Sequence, residues 1–185
     1  MDGEELVKKQ DTKKIKKLYI ILAIVIFVVV LIDQITKICA INIGDVQVIE
    51  NVLKISVSEN KSGAYGIGSD STIMYIITNL VVIAVLFKFI TSQNEFIDTK
   101  IKIFSSLIIA GGISNVIDRI IRGYVVEFID FKQIINIPSI NLADICVIIG
   151  WVSFIAVFTG FSVREIQANR AKKEVKLQDN KKEEK

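Results

Sequence analysis

The apolar run LYIILAIVIFVVVLI, residues 18–32, contains no charged or strongly polar side chain. A helix that crosses the hydrocarbon core of a bilayer, about 30 Å thick, needs roughly 20 mostly apolar residues. Four segments approach that length, at about 18–39, 72–90, 101–121 and 145–163. The first and fourth are clear from the sequence alone, whereas GGISN interrupts the third. With 51% hydrophobic residues in the chain, we predict an α-helical membrane protein with four transmembrane helices.

Basic residues predict the orientation of these helices. Residues 1–17 contain six lysines, and residues 162–185 contain eight lysines or arginines. Three more lysines, Lys88, Lys100 and Lys102, lie in or close to the short connection between the second and third spans. The other two connections carry two each. Since Lys and Arg favour the cytoplasmic side, we expect both termini in the cytoplasm. The predicted organisation is a basic N-terminus (1–17), a membrane domain (18–163) and a charged tail (164–185).

The segment DVQVIENVLKISVSEN, between the first two spans, alternates apolar and polar residues in places and is rich in Val and Ile. That pattern predicts a small extracytoplasmic sheet on the outer leaflet.

The chain contains no histidine, which excludes imidazole as a catalytic base, nucleophile or metal ligand. Cys39 and Cys146 lie in apolar segments without metal or disulfide spacing, so we expect two buried thiols. No metal, organic cofactor or nucleic-acid partner is indicated.

Polar side chains at membrane depth are costly, at about 2.5–3.5 kcal/mol for a charged residue, and commonly mark function. Under the predicted topology they collect near the extracytoplasmic interface, and they are Asp33, Lys37, Asn60, Asn115, Asp118, Arg119, Asn141 and Asp144. Each has a simple structural explanation. Asp33 and Lys37 have the spacing of an ion pair within a helix, and Asp144 suits the first turn of a helix. Their convergence at one depth favours a functional site.

Without histidine, the available catalysts are carboxylates. Two neighbouring carboxylates tend to share one proton, so that one accepts a proton from water while the other donates to the substrate. Asp144 needs such a partner, and GYVVEFIDF offers Glu127 and Asp130. The remaining polar residues would position the substrate and the two acids.

In order, DQITK, NKSGAYG, GGISNVIDR, GYVVEFIDF and NLAD resemble the motifs of the bacterial lipoprotein signal peptidase (signal peptidase II) family. The resemblance covers about residues 18–163. It implies an intramembrane aspartic protease that cuts prolipoprotein signal peptides just before a diacylglyceryl-modified cysteine. The enzyme would lie in the bacterial inner membrane with its active site at the outer face. We expect a monomer whose partners are membrane lipids and lipid-modified prolipoproteins.

The chain departs from the family pattern at Ser62, Tyr65, Ser114 and Ile140, where the changes are tolerable, and at Glu127. The family has VVDF at this last position, and its Asp is catalytic. We align Glu127 with that Asp. Glu127 lies seventeen residues before Asp144 and Asp130 lies fourteen before it, and the family's spacing is nearer to seventeen. Three possibilities follow: Glu127 works with an adjusted backbone, Asp130 or Asp118 substitutes, or the chain is a weak or inactive relative.

Two other classes of protein use buried acids in a membrane. Charges spread through the depth of the bundle would favour a small proton- or ion-coupled carrier, whereas the charges of this chain gather at one interface. A non-catalytic membrane subunit predicts that Asp144→Asn has no effect.

Overall fold

The computed structural model describes residues 3–61, 72–92, 98–131 and 137–183. The described chain is mainly helical and carries one three-stranded sheet. The helices are α1 (Gly3–Ile43), α2 (Thr72–Thr91), α3 (Thr99–Arg122) and α4 (Leu142–Glu183). The strands are β1 (Val46–Ile49), β2 (Leu53–Asn60) and β3 (Val125–Asp130).

Each helix contains a stretch long and apolar enough to cross a membrane, which confirms the prediction of four apolar helices. The stretches are Thr12–Ile43, Thr72–Thr91, Thr99–Arg122 and Leu142–Arg170. The first and last helices extend beyond the apolar sequence into their charged segments, whose Lys, Glu and Gln residues are good helix formers.

Helix α3 lies at the centre of the bundle and packs against α1, α2 and α4. In α3, 67% of the most apolar window is buried inside the protein, against 11% in each of the other three helices. The interruption of its apolar sequence follows from this position, because α3 contacts other helices more than lipid.

The side chains of α1, in contrast, face outward along most of its length. Cys39 is exposed on α1 and Cys146 is half-buried on α4. The prediction of two buried thiols is therefore wrong for Cys39, because an apolar residue of a membrane helix need not face the protein core.

Helices α3 and α4 approach closely at Gly111. A Cβ atom there would lie 2.5 Å from the carbonyl oxygen of Ala143 and 2.6 Å from Cγ2 of Val147. Gly111 belongs to GGISN, and its lack of a side chain allows α3 to approach α4 this closely. The contact places the middle of α3 against the first turn of α4.

The sheet is antiparallel in the order β1-β2-β3. Strands β1 and β2 form a hairpin within the predicted segment, and Asn51 occupies a left-handed conformation in its turn (φ 57°), which Asn tolerates. Strand β3 was not predicted. It follows α3 through Gly123 (φ 82°), whose N–H donates to the Arg119 carbonyl over 3.1 Å. We call the end of the bundle that contacts this sheet the sheet end.

We predict that Gly111→Ala lowers the free energy of unfolding by about 1–3 kcal/mol, because the new methyl group meets backbone atoms that cannot move aside cheaply. Thermal unfolding in detergent micelles measures the effect. The matched control is Gly160→Ala on α4, where the Cβ position is open for 4 Å and alanine improves helix propensity. Equal midpoints for the two variants would contradict the close contact.

Candidate functional site

The sheet end is built around the buried ammonium group of Lys37. Its Nζ lies 2.7 Å from Oδ2 of Asp33 and 2.9 Å from Oδ2 of Asp118, and all three side chains have 0% exposure. It also donates to Oδ1 of Asn115 over 3.1 Å. An ammonium group has three N–H donors, and here each one has an acceptor.

Asp33 links α1 to α3 and α4. Its Oδ1 accepts a hydrogen bond from the backbone N–H of Ala143 over 2.8 Å, which satisfies one of the free donors in the first turn of α4. Its Oδ2 accepts from the Ser114 hydroxyl over 2.6 Å. The pair with Lys37 predicted from the i, i+4 spacing is present, and it forms part of a larger network.

Asp118 links α3 to the sheet. Its Oδ2 accepts from the backbone N–H of Val126 over 3.1 Å, and its Oδ1 accepts from Nε2 of Gln34 over 3.0 Å and pairs with Arg122. We name Asp33, Lys37, Asp118 and Arg122 the ion cluster. Its two positive and two negative charges balance, which offsets the cost of removing them from water.

Asn141 and Asp144 form a reciprocal cap at the start of α4. The N–H of Asp144 donates to Oδ1 of Asn141 over 2.8 Å, and the N–H of Asn141 donates to Oδ2 of Asp144 over 3.2 Å. This arrangement is a capping box, so the structural explanation for Asp144 holds. One carboxylate oxygen serves the cap, while the other accepts from Nδ2 of Asn115 over 2.8 Å.

The side-chain amide of Asn115 connects the ion cluster to Asp144 by hydrogen bonds. Its Oδ1 accepts from Lys37 and also from Nδ2 of Asn141, the latter over 3.2 Å. Because that oxygen faces two donors, the amide nitrogen must face the Asp144 carboxylate.

Glu127 lies on β3, next to Val126, whose backbone N–H and carbonyl are both held by side chains. The N–H of Val126 donates to Asp118, and its carbonyl accepts from Nδ2 of Asn141 over 3.1 Å. Glu127 is 8% exposed, and its Oε1 accepts from Nδ2 of Asn60 on β2 over 2.6 Å.

A cavity of about 460 Å³ opens between α2, α3, α4 and β3, and both Glu127 and Asp144 line it. The polar side chains on its wall are Asn60, Tyr75, Asn79, Asn115, Arg119, Glu127, Ser139 and Asp144. The guanidinium of Arg119 lies 5.3 Å from the centre of the Tyr75 ring, a cation–π contact. Its neighbour Asp118 points away from the cavity, into the ion cluster.

The sequence-predicted residues therefore form two layers. Asn60, Asn115, Arg119, Glu127 and Asp144 line the cavity, while Asp33, Lys37, Asp118 and Asn141 lie behind it and hold it in place. Asp130 is not among the lining residues. It lies half-buried at the end of β3, with Lys54 as its partner across the sheet.

Sequence reasoning missed several members of the site. Arg122 could have been predicted, since it lies four residues after Asp118 on the same helix, the spacing of an ion pair. Gln34 could have been considered because it is adjacent to Asp33 in DQITK. Tyr75 and Asn79 belong to an apolar helix far along the chain, and no spacing rule connects them to the acids. Among the described residues, no group of three acidic, cysteine or histidine side chains is arranged to hold a metal ion.

Comparison with known proteins gives consistent matches. The family model described as signal peptidase (SPase) II matches residues 25–159. The lipoprotein signal peptidase of Clostridium tetani is 38% identical over 140 residues, covering 71% of this chain and 88% of that protein. The one from Staphylococcus aureus strain Newman is 36% identical over 168 residues, covering 87% and 99%. A solved structure described as a bacterial membrane enzyme aligns with a TM-score of 0.67 at 28% identity, covering 76% of this chain and 88% of that one.

We predict that Lys37→Met destabilises the protein by about 3–5 kcal/mol, because it leaves the Asp33 and Asp118 carboxylates buried without their shared cation. Thermal unfolding in micelles measures the loss. The matched control is Lys54→Met, since Lys54 pairs with Asp45 at 33% and 59% exposure and an exposed pair contributes about 1 kcal/mol or less. Equal losses for the two variants would be inconsistent with a structural role for the ion cluster.

Proposed function

This chain belongs to the signal peptidase II family, and from that premise we propose that it is an intramembrane aspartic endopeptidase that removes signal peptides from diacylglyceryl-modified prolipoproteins. Membership of the family makes it a protease and confirms the resemblance predicted from its five motifs.

The observation that carries the proposal is that Glu127 and Asp144, from different elements, line one cavity. Each carboxylate is held by donors: Asn60 holds Glu127, while Asn115 and the backbone of Asn141 hold Asp144. Fixed carboxylates beside a cavity are the arrangement that general acid–base catalysis needs.

In the resting enzyme one of the two acids is ionised and the other is protonated. The ionised carboxylate accepts a proton from a water molecule, whose oxygen forms a bond to the scissile carbonyl carbon. The protonated carboxyl donates to the carbonyl oxygen, which gives a tetrahedral diol. The diol then returns a proton to the ionised carboxylate, the leaving nitrogen takes a proton from the protonated one, and the C–N bond breaks. Both products leave without a covalent enzyme intermediate.

Three observations support Glu127 over its alternatives as the partner of Asp144. Asp118 already uses both oxygens in the ion cluster and in contacts to Gln34 and Val126. Asp130 is not among the cavity residues. Glu127 carries one methylene more than Asp, and the hydrogen bond from Asn60 fixes where this longer side chain places its carboxylate.

We further propose that both termini are cytoplasmic and that the sheet end faces the outside of the bacterial inner membrane. The lysine-rich N-terminus and the basic tail support this orientation, because both lie at the opposite end of the bundle from the sheet. Many apolar side chains of α1, α2 and α4 are exposed, as expected of a monomer surrounded by membrane lipids.

We predict that Asp144→Asn and Glu127→Gln each lower the rate of prolipoprotein cleavage by at least about 100-fold, because an amide cannot transfer the proton. Glu127→Asp is expected to lose up to about 100-fold, since its carboxylate falls short by roughly 1 Å. Cleavage of a diacylglyceryl prolipoprotein in membranes, normalised to the amount of enzyme, measures all three.

Asp130→Asn is the matched control and is expected to keep most of the wild-type activity. If Asp144→Asn cleaves normally, Asp144 is not a catalytic acid, the proposed mechanism is wrong, and Asp144 acts only as the cap of α4. If Glu127→Gln is active while Asp130→Asn is inactive, the assignment of the second acid moves to Asp130.

The orientation is tested separately in a background with Cys39→Ala and Cys146→Ala. Glu50→Cys, exposed in the β1–β2 turn, should react with a membrane-impermeant maleimide in intact cells from which any outer membrane has been removed. Lys173→Cys, exposed on α4, should react only after permeabilisation. The reverse labelling pattern would overturn the proposed topology.

A further inference from the structure

Ser114 lies in the second half of α3, and its hydroxyl bonds to another helix. A serine within a helix can donate its hydroxyl proton to a carbonyl three or four residues earlier. Ser106, also on α3, does this with the Ile103 carbonyl over 2.7 Å. The Ser114 hydroxyl instead donates to Oδ2 of Asp33 on α1 over 2.6 Å. It therefore joins two helices.

The partners of the Ser114 hydroxyl fix its orientation. Its oxygen accepts from Nε2 of Gln34 over 2.9 Å. Oε1 of Gln34 accepts from Arg122, so the amide nitrogen is the group that faces Ser114. Because an amide nitrogen only donates and an ionised carboxylate only accepts, the single hydroxyl proton must lie towards Asp33.

The contact with Asp33 leads to one of the two candidate acids. Oδ1 of Asp33 accepts from the N–H of Ala143 over 2.8 Å, and Ala143 is the residue before Asp144. Ser114 thus holds the carboxylate that fixes the backbone next to Asp144.

The contact with Gln34 leads to the other acid. Nε2 of Gln34 also donates to Oδ1 of Asp118 over 3.0 Å, and Oδ2 of Asp118 accepts from the N–H of Val126 over 3.1 Å. Val126 is the residue before Glu127. One hydroxyl group therefore stands between the contacts that fix the backbone beside each acid.

Ser114 itself lies behind the cavity wall. It has 0% exposure and is not among the described residues that line the cavity. It also stands where the chain departs from the family pattern, so this hydroxyl is a feature of the individual chain. Any effect of Ser114 on cleavage must pass through the groups that it holds.

Resting on the proposed function, we propose that Ser114 is a positioning residue that holds Asp144 and Glu127 in one geometry for the reaction. By joining Asp33 to Gln34, its hydroxyl ties the first turn of α4 to strand β3. Without it, the two backbone segments are held less firmly to each other, and misplacement of reacting groups by about 1 Å can lower a rate by about 100-fold. The loss belongs to kcat, because Ser114 does not contact the substrate.

The test uses the purified full chain in lipid nanodiscs and a diacylglyceryl prolipoprotein. Cleavage is measured at a temperature at which the thermal unfolding curve of every variant shows folded protein. Ser114→Ala is expected to lower kcat by at least about fivefold, the effect of one lost hydrogen bond, and to change KM by less than about twofold. If Ser114→Ala does not accumulate in the membrane, Ser114→Gly replaces it with the same expected result.

The matched control is Ser106→Ala. It removes a hydroxyl from a residue on the same helix that also has 0% exposure, but this hydroxyl bonds only within α3. It should keep the wild-type kcat.

Gln34→Leu tests whether the effect depends on the contact with Gln34. In that background, Ser114→Ala should lower kcat by a smaller factor than in wild type, because one of the two contacts of the hydroxyl is already missing.

Equal kcat values for Ser114→Ala and Ser106→Ala would overturn the positioning role and leave the proposed function intact. A loss that appears in KM and not in kcat would also overturn it, as would the same factor with and without Gln34. Failure of wild type to cleave the prolipoprotein would overturn the proposed function and the positioning role with it.

Discussion

The buried ammonium group of Lys37 is the interaction on which the rest of the site depends. It holds two carboxylates and one amide at the point where α1 meets α3. Through Asp33 the network reaches the first turn of α4, and through Asp118 it reaches strand β3. The elements that carry the candidate acids are therefore fixed by one shared centre, although neither acid contacts it directly.

Rigidity at the cavity comes from amides placed between the ion cluster and the acids. Asn115 faces the ammonium group with its oxygen and Asp144 with its nitrogen, and Asn141 joins the cap of α4 to the backbone of β3. Amides suit this position because they carry both a donor and an acceptor and remain uncharged. The connection between the ion cluster and Asp144 therefore passes through an uncharged group.

Sequence reasoning was most successful where an element faces lipid and least where it faces protein. The spans in α1 and α4 are readable because bilayer contact requires continuous apolar residues, whereas α3 is buried by its neighbours and tolerates glycine, serine and asparagine. The polar residues were found because charge at membrane depth is rare. Strand β3 was missed because its pairing with β2 joins segments more than sixty residues apart, and Asn79 because a single amide in an apolar helix has no spacing pattern.

The charges of the ion cluster are also divided evenly between two helices. Asp33 and Lys37 form an i, i+4 pair on α1, and Asp118 and Arg122 form another on α3. Each helix thus brings into the bilayer a counter-ion for its own buried carboxylate before the two helices meet. The pair within each helix does not need the other helix, whereas the contacts of Lys37 with Asp118 and Asn115 require that α1 and α3 come together.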